Sequence, residues 1–460
     1  MFYVKTKIKN IAKVWLSKVN AFPSKLYAIK EEYVKTEPIF DTRYIDKKIG
    51  DLALSCVSCL KALPSVNKNN IAFLVTYLGD TGGHTELVKN FSQSLPQMYK
   101  SKIFLTRKTI TEKLTPLKIE ELKKYSEIAG VDFKWRYEKQ LLNELFKQIV
   151  EFSPATLVVF IVNDYFAVGL LALLKKYTQT KIIFCNIASH FSVLGMSYAH
   201  LIWEGMPSTA YVTQKYRGFH NTKVLGLCYL TKNKLPAFSE SEIATTRSAI
   251  GIPKDAFCTM TGCASYKLFE NGKSMYLEMI KNILMENESL WHILITKLDK
   301  TQESILKKID MPNRFILMDF KTDYRLYFKC ADVFVDSFPL SSALTMVDLM
   351  SLKVPFVAFK NKENLALTFY EYFPENYDYL FDNITDMQAG IKKLLDDKDE
   401  QKRIINTNFE HFLENFEGDK VAQKVLEANT FDSEINGEQY KDFKGIKLMS
   451  RGKLNSLNLF

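Results

Sequence analysis

Two stretches of this 460-residue chain carry side chains whose types and spacing suit chemistry on an anionic ligand. The first is "PLSSALTMVD", with Ser341, Ser342, Thr345 and Asp348. It follows an apolar run, Val333–Asp336, broken by Ser337-Phe338-Pro339, so a strand should end there and a helix open near Ser342. Hydroxyls beside the unpaired N–H groups of a helix start suit a diphosphate. Asp348 falls one turn after Thr345 on the same face, where a carboxylate could accept from ribose hydroxyls. An ordinary serine N-cap followed by a surface aspartate would look the same. The second stretch is "IAFLVTYLGDTGGHTELVKNF", whose Gly82-Gly83 step delivers His84 and Thr85 at a second helix start. It lacks the G-x-G-x-x-G spacing of a dinucleotide cradle. The glycines therefore read as a close backbone approach to a cleft, with His84 as a general base kept neutral by the helix end. A histidine that merely caps the turn is the plain alternative. Lys267, in "GCASYK", follows an apolar run in a small-residue loop, where its ammonium could neutralise a leaving diphosphate or simply be solvated.

The elements that must hold these residues alternate. Apolar runs at "IAFLVTY", "KIFLTR", "TLVVFIVND" and "KIIFCNI" are separated by helical patterns, and the alternation restarts with "AFCTMTGCA", "LWHILITK", "NRFILMDF", "DVFVDSF" and "PFVAFK". Near-continuous apolar strands alternating with helices indicate parallel sheets covered on both faces. The expected division is a basic helical extension over 1–68, an N-terminal Rossmann-like domain over 69–235, a C-terminal one over 236–385, closing helices over 386–430 and a basic tail over 431–460. The polar stretch Lys232–Asp255 reads as an interdomain connection.

Composition narrows the classes. Sixty-two basic against 52 acidic residues give a net charge of +10, too mild to argue for nucleic acid but compatible with small anions or a membrane surface. Seven cysteines, an odd and scattered set, fit reduced thiols in a cytoplasm. Cys56 and Cys59 form a CxxC inside an apparent helix and read as core residues one turn apart rather than a zinc site. The Asp397/Asp399 pair lies in a charged helical end, so no metal site is expected. No apolar run reaches the roughly 18 residues of a membrane span. A cytoplasmic protein follows, its basic ends suited to the inner face of a membrane.

The segment "DSFPLSSALTMVDLMSLKVPFVAF" resembles the donor-binding segment of GT-B glycosyltransferases, and more narrowly that of the O-GlcNAc transferase family and its bacterial relatives. Asp336, Pro339, Thr345, Asp348 and Pro355 carry the match. "GCASYKLFENGKSMYLEMIKNILMENESLWHIL" resembles the segment with that family's diphosphate-binding lysine, here Lys267. "DFKTDYRLYFKCADVFVD" resembles the base-holding segment, which puts Lys321 and the ring of Tyr324 near the base, with tyrosine where histidine is common. "NIASHFSVLGMSYAHLIWEGMP" resembles the middle stretch, with Ser189, His190 and Ser192 facing the cleft and His190 as the competing base. The resemblance runs from Ile71 to Lys360. The family's Gly-His-Thr-Thr is here Ser342-Ala343-Leu344-Thr345, and the tandem helical repeats that recruit protein substrates are absent. The resemblance implies two Rossmann-like domains facing a cleft. It also implies inverting, metal-independent transfer of a hexosyl or N-acetylhexosaminyl group from a nucleotide-sugar, UDP-linked in that family, with no cofactor. The acceptor would be a hydroxyl or amide on a protein, a surface glycan or a lipid-linked sugar. A non-catalytic accessory subunit of a transferase complex and a nucleotide-sugar epimerase stay open as other readings.

Overall fold

The computed structural model describes residues 41–56, 65–79, 83–114, 116–132, 138–161, 164–186, 193–319, 324–360 and 370–428. The chain divides into two compact units. The first runs to Gly226 and takes the chain back at Ala422, and the second comprises Leu227–Val421.

The first unit is a seven-stranded sheet of β1 (Asn67–Val75), β2 (Lys100–Leu105), β3 (Glu127–Gly130), β4 (Pro154–Phe160), β5 (Lys181–Cys185), β6 (Leu201–Glu204) and β7 (Thr222–Val224). Every pairing is parallel, in the order β3-β2-β1-β4-β5-β6-β7. The apolar runs have their physical reason here. From Asn70 onward β1 is buried residue after residue, so both faces of the strand need apolar side chains.

The helix Arg43–Leu54 belongs to this unit rather than to a separate extension. Its Ile45, Ile49 and Ala53 enter the same core as Val168, Leu171 and Ala167 of the helix Tyr165–Tyr177. The approach is close at Gly50, where a Cβ would stand 1.9 Å from the Tyr198 hydroxyl and 3.1 Å from the Cβ of Ala172. Asp46, fully buried, accepts from the amides of Gly195 at 2.8 Å and Ser197 at 3.3 Å and from the Ser197 hydroxyl at 2.6 Å. The helix stops at Leu54, so Cys56 lies in the turn beyond it and Cys59 outside the described residues.

The second unit is a six-stranded parallel sheet of β8 (Phe257–Gly262), β9 (Leu290–Ile295), β10 (Phe315–Met318), β11 (Val333–Val335), β12 (Phe356–Phe359) and β13 (Leu380–Phe381), ordered β10-β9-β8-β11-β12-β13. The polar stretch expected to be a connection is instead part of this unit. Ser239 opens the helix Glu240–Ala249 through a capping box with Glu242, and the division of the chain falls earlier, after Gly226. What reads as one late helix is two, Ile384–Asp396 and Lys398–Asn415. Asp397 between them accepts from the amides of Asp399 and Glu400, so this carboxylate caps a helix. Among the described residues no helix is long and apolar enough to cross a membrane.

Candidate functional site

In open parallel sheets, ligands meet the loops beyond the carboxyl ends of the strands. In the second unit β11 ends directly at Asp336, whose carboxylate is fully buried. Its Oδ1 accepts from the amide of Ser337 at 2.8 Å and that of Ser342 at 3.1 Å, so a single oxygen ties the two ends of the loop together. Ser337 Oγ donates to the carbonyl of Leu340 at 2.7 Å and lies 3.1 Å from Ser342 Oγ. Between them the Phe338-Pro339 bond is cis, and the Phe338 ring packs on Tyr276 and Phe359. The helix Ala343–Leu352 starts after Ser342, whose side chain does not cap it. That hydroxyl takes a different bond.

Lys267 sits in a short 3-10 turn, Ser265–Leu268, just after β8. Its Nζ donates to the carbonyl of Ser341 at 2.8 Å and to Ser342 Oγ at 3.1 Å. Lys267 and the adjacent pair Ser341-Ser342, far from it in sequence, thus form one cluster at a helix start. Burial pulls the Lys267 pKa down, opposed by the neighbouring Cys263 and Asp336. Burial pushes Asp336 up to about 6, opposed by the Ser341 hydroxyl, Lys267 and the two amides.

A group whose folded pKa is raised stabilises the fold fully below its unfolded value. That contribution is lost as pH rises through the folded value, here between about 3.8 and 6. Asp336→Asn keeps one acceptor oxygen for the two amides and removes the titration. Its stability relative to wild type should therefore improve by roughly 2 kcal/mol between pH 4 and pH 7.5. Urea unfolding at both pH values checks this; a difference independent of pH refutes it.

Thr345 lies half-buried in the first turn of the helix Ala343–Leu352. Asp348, 3% exposed, is held by its neighbours: Oδ1 accepts from Arg325 Nε at 2.7 Å and Oδ2 from the Tyr324 hydroxyl at 3.0 Å. Arg325 Nε also donates to the Tyr229 hydroxyl at 3.2 Å. The guanidinium lies over both the Tyr229 and the Tyr324 ring, at 5.7 and 5.1 Å from their centroids. Sequence reasoning missed Arg325, Tyr229 and the loop-closing role of Asp336. Lys321 lies outside the described residues.

In the first unit, His84 occupies the first turn of the helix Gly83–Ser94. Its Nε2 is 3.0 Å from the carbonyl of Tyr77, and its ring meets the Tyr77 ring edge-on. A carbonyl only accepts, so Nε2 carries the proton and Nδ1 is the basic nitrogen. Burial lowers the His84 pKa, with the Tyr77 carbonyl opposing it. Thr85 is fully buried, and its Oγ1 accepts from the amide of Gly79 at 3.0 Å. It closes the turn from inside rather than facing a cleft. Gly83 begins the helix, whereas Gly82 and the stretch with Ser189, His190 and Ser192 lie outside the described residues. A hollow of about 420 Å³ beside β2 and β3, lined by Lys102, Lys108, Gly130 and Glu151 among others, includes none of these candidates.

Two parallel-sheet units of this make define the GT-B fold, and the chain has it. A glycosyltransferase from Rickettsia africae superposes with a TM-score of 0.61 at 11% identity, covering 79% of this chain and 98% of that one. HepE from Anabaena, in complex with UDP-glucose, gives 0.58 at 14% identity over 78% and 98%. A variant of the O-GlcNAc transferase of Thermobaculum terrenum gives 0.55 at 13% identity over 88% and 76%. No family model and no curated protein matches the chain.

Proposed function

We propose that this chain is an inverting, metal-independent glycosyltransferase that takes a hexosyl or N-acetylhexosaminyl group from a UDP-sugar. The observation that carries the reading is the half-buried Lys267 ammonium, hydrogen-bonded to Ser342 Oγ and the Ser341 carbonyl where the helix Ala343–Leu352 begins. Its partners there are acceptors that a diphosphate can replace. The likeness to HepE, seen with UDP-glucose, supports the choice of donor. In the reaction, an acceptor hydroxyl or amide gives its proton to His84 Nδ1 and attacks the anomeric carbon. The bond from that carbon to the diphosphate breaks, and UDP leaves with the electron pair. Lys267 and the helix-start amides take up the charge that develops on the diphosphate, which is where such donors do most for the rate. No metal is required if these groups do that work. Acceptors on a protein, a surface glycan or a lipid-linked sugar all fit, the last two suiting a task at the cytoplasmic face of a membrane. Isothermal calorimetry of the wild-type chain with UDP, followed by a screen of UDP-sugars for slow hydrolysis, tests the reading. Saturable UDP binding and hydrolysis of at least one UDP-sugar are expected. Absence of UDP binding removes the proposal, and binding without any turnover points to an accessory subunit.

A further inference from the structure

We infer that Thr259, His292, Tyr276 and Thr261 form a one-way hydrogen-bonded chain that pre-sets the loop Ser337–Ser342, with His292 as a positioning residue near its head. Thr259 and Thr261 stand two residues apart on β8, and His292 is the residue of β9 directly beside Thr259. Tyr276 reaches them from the helix Met275–Glu286. The direction of the chain follows from its far end. Thr261 Oγ1 donates to the carbonyl of Val335 at 2.5 Å, and a carbonyl only accepts, so the single proton of Thr261 is committed there. Thr261 must then accept, and it does so from the Tyr276 hydroxyl at 2.5 Å. With that proton committed too, the 2.9 Å contact between Tyr276 and His292 Nε2 has one donor left, the ring N–H. Burial keeps the ring neutral, its pKa pulled down to about 3, so Nδ1 is bare and can only accept. Thr259 Oγ1, 2.9 Å from Nδ1, turns its proton there rather than to the Trp291 carbonyl at 3.3 Å.

Every member of the chain is at most 2% exposed. Buried polar groups destabilise unless all are paired, whereas a fully paired set holds neighbouring elements to one geometry. The geometry held here is that of the loop. Val335 is the last residue of β11, one before Asp336, the carboxylate that ties the amides of Ser337 and Ser342. The Tyr276 ring also meets Phe338, inside the loop, edge-on at 5.5 Å. The chain therefore grips the loop at its root and near its middle. That the loop serves a donor rests on the UDP reading above; that the chain holds it does not.

Side-chain nitrogen NMR of the intact, histidine-labelled chain should show His292 with a protonated Nε2 and a bare Nδ1, the signal being assigned by its loss in His292→Gln. The opposite tautomer reverses the chain and overturns the inference. This reading is made on the wild-type protein and does not depend on any variant folding. Hydrogen–deuterium exchange, followed on peptides covering Ser337–Ser342, tests the grip itself. Tyr276→Phe keeps the ring against Phe338 and removes the hydroxyl; Thr261→Val removes the donor to Val335. Each is expected to speed exchange in the loop about tenfold, while the helix Lys398–Asn415 of the same unit exchanges as in wild type. Thr261→Ser, which puts the hydroxyl back, should match wild type. Equal acceleration throughout the unit, an unchanged loop, or a serine variant as fast as the valine one would each overturn the inference. UDP affinity should also fall about fivefold in Tyr276→Phe. If wild type binds no UDP, the donor reading falls, and the exchange results still decide whether the chain holds the loop.

Discussion

Lys267→Met is expected to weaken UDP binding by at least tenfold and to lower turnover by about a hundredfold or more, the range seen when one preorganised charge donor is removed from a transition state. Methionine matches the length of the lysine stem, so the substitution removes the ammonium with little change in volume. In the free protein Nζ is bonded to the Ser341 carbonyl and Ser342 Oγ and lies near Asp336. That arrangement makes the cation a fixture of the loop, ready where charge would develop on the diphosphate. The loss should therefore depend on the phosphate that Lys267 meets. UDP affinity should fall much more than UMP affinity, because UMP lacks the second phosphate. Calorimetry with both ligands makes the comparison, and equal losses for UMP and UDP would place Lys267 away from the diphosphate. A thermal melt must accompany it, since removing the ammonium leaves the buried Asp336 without its nearest positive charge. An unchanged UDP affinity in a folded variant would defeat the donor-site assignment altogether.

The two turns that build the cluster around Lys267 were legible in the sequence because the determinants of each are local, whereas their meeting was implied only by the family resemblance. An apolar run, a proline break and two serines before an apolar helix specify a strand-to-helix turn. The lysine comes from an equally plain turn after β8. The bonds around Asp348 were not legible, because Tyr229 is brought to Arg325 by the fold and nothing in the pattern of either segment marks the meeting. The short strands β3, β6, β7 and β13 were also missed. Length alone does not account for this, because β10, β11 and β12, with three or four residues each, were legible. Charge hid the break at Asp397, where a run of acidic and basic residues reads as one solvated helix although its first carboxylate is a cap. In the same way, a basic and aromatic leading segment concealed that Ile45, Ile49 and Ala53 complete the core of the first unit. Thr85 shows the opposite error. The glycine step before it suggests a residue on a cleft-facing loop, yet its bond to the amide of Gly79 is what shapes the turn.

His84→Gln is expected to reduce turnover by about 10² to 10⁴, the usual contribution of a positioned general base, while UDP affinity stays within about twofold of wild type. The choice of glutamine follows from the geometry. Its amide N–H can take the place of Nε2–H toward the Tyr77 carbonyl, so the loop keeps its bond while the basic Nδ1 disappears. His84→Asn, with a shorter side chain that cannot span to that carbonyl, should lose turnover and also loosen the loop. Retention of the fold in the glutamine variant therefore isolates the chemistry. The pH dependence supplies an independent sign. Burial lowers the His84 pKa below its ordinary value of 6.5, so the imidazole is neutral and able to accept a proton at pH 7. The rate should fall only as pH drops through that depressed value, which sets an acid limb below pH 6.5 in kcat/KM for wild type. That limb should be missing from the residual activity of His84→Gln. Near-normal turnover in the glutamine variant, with the acid limb intact, would mean that another group takes the acceptor's proton, and His190 is the residue to replace next.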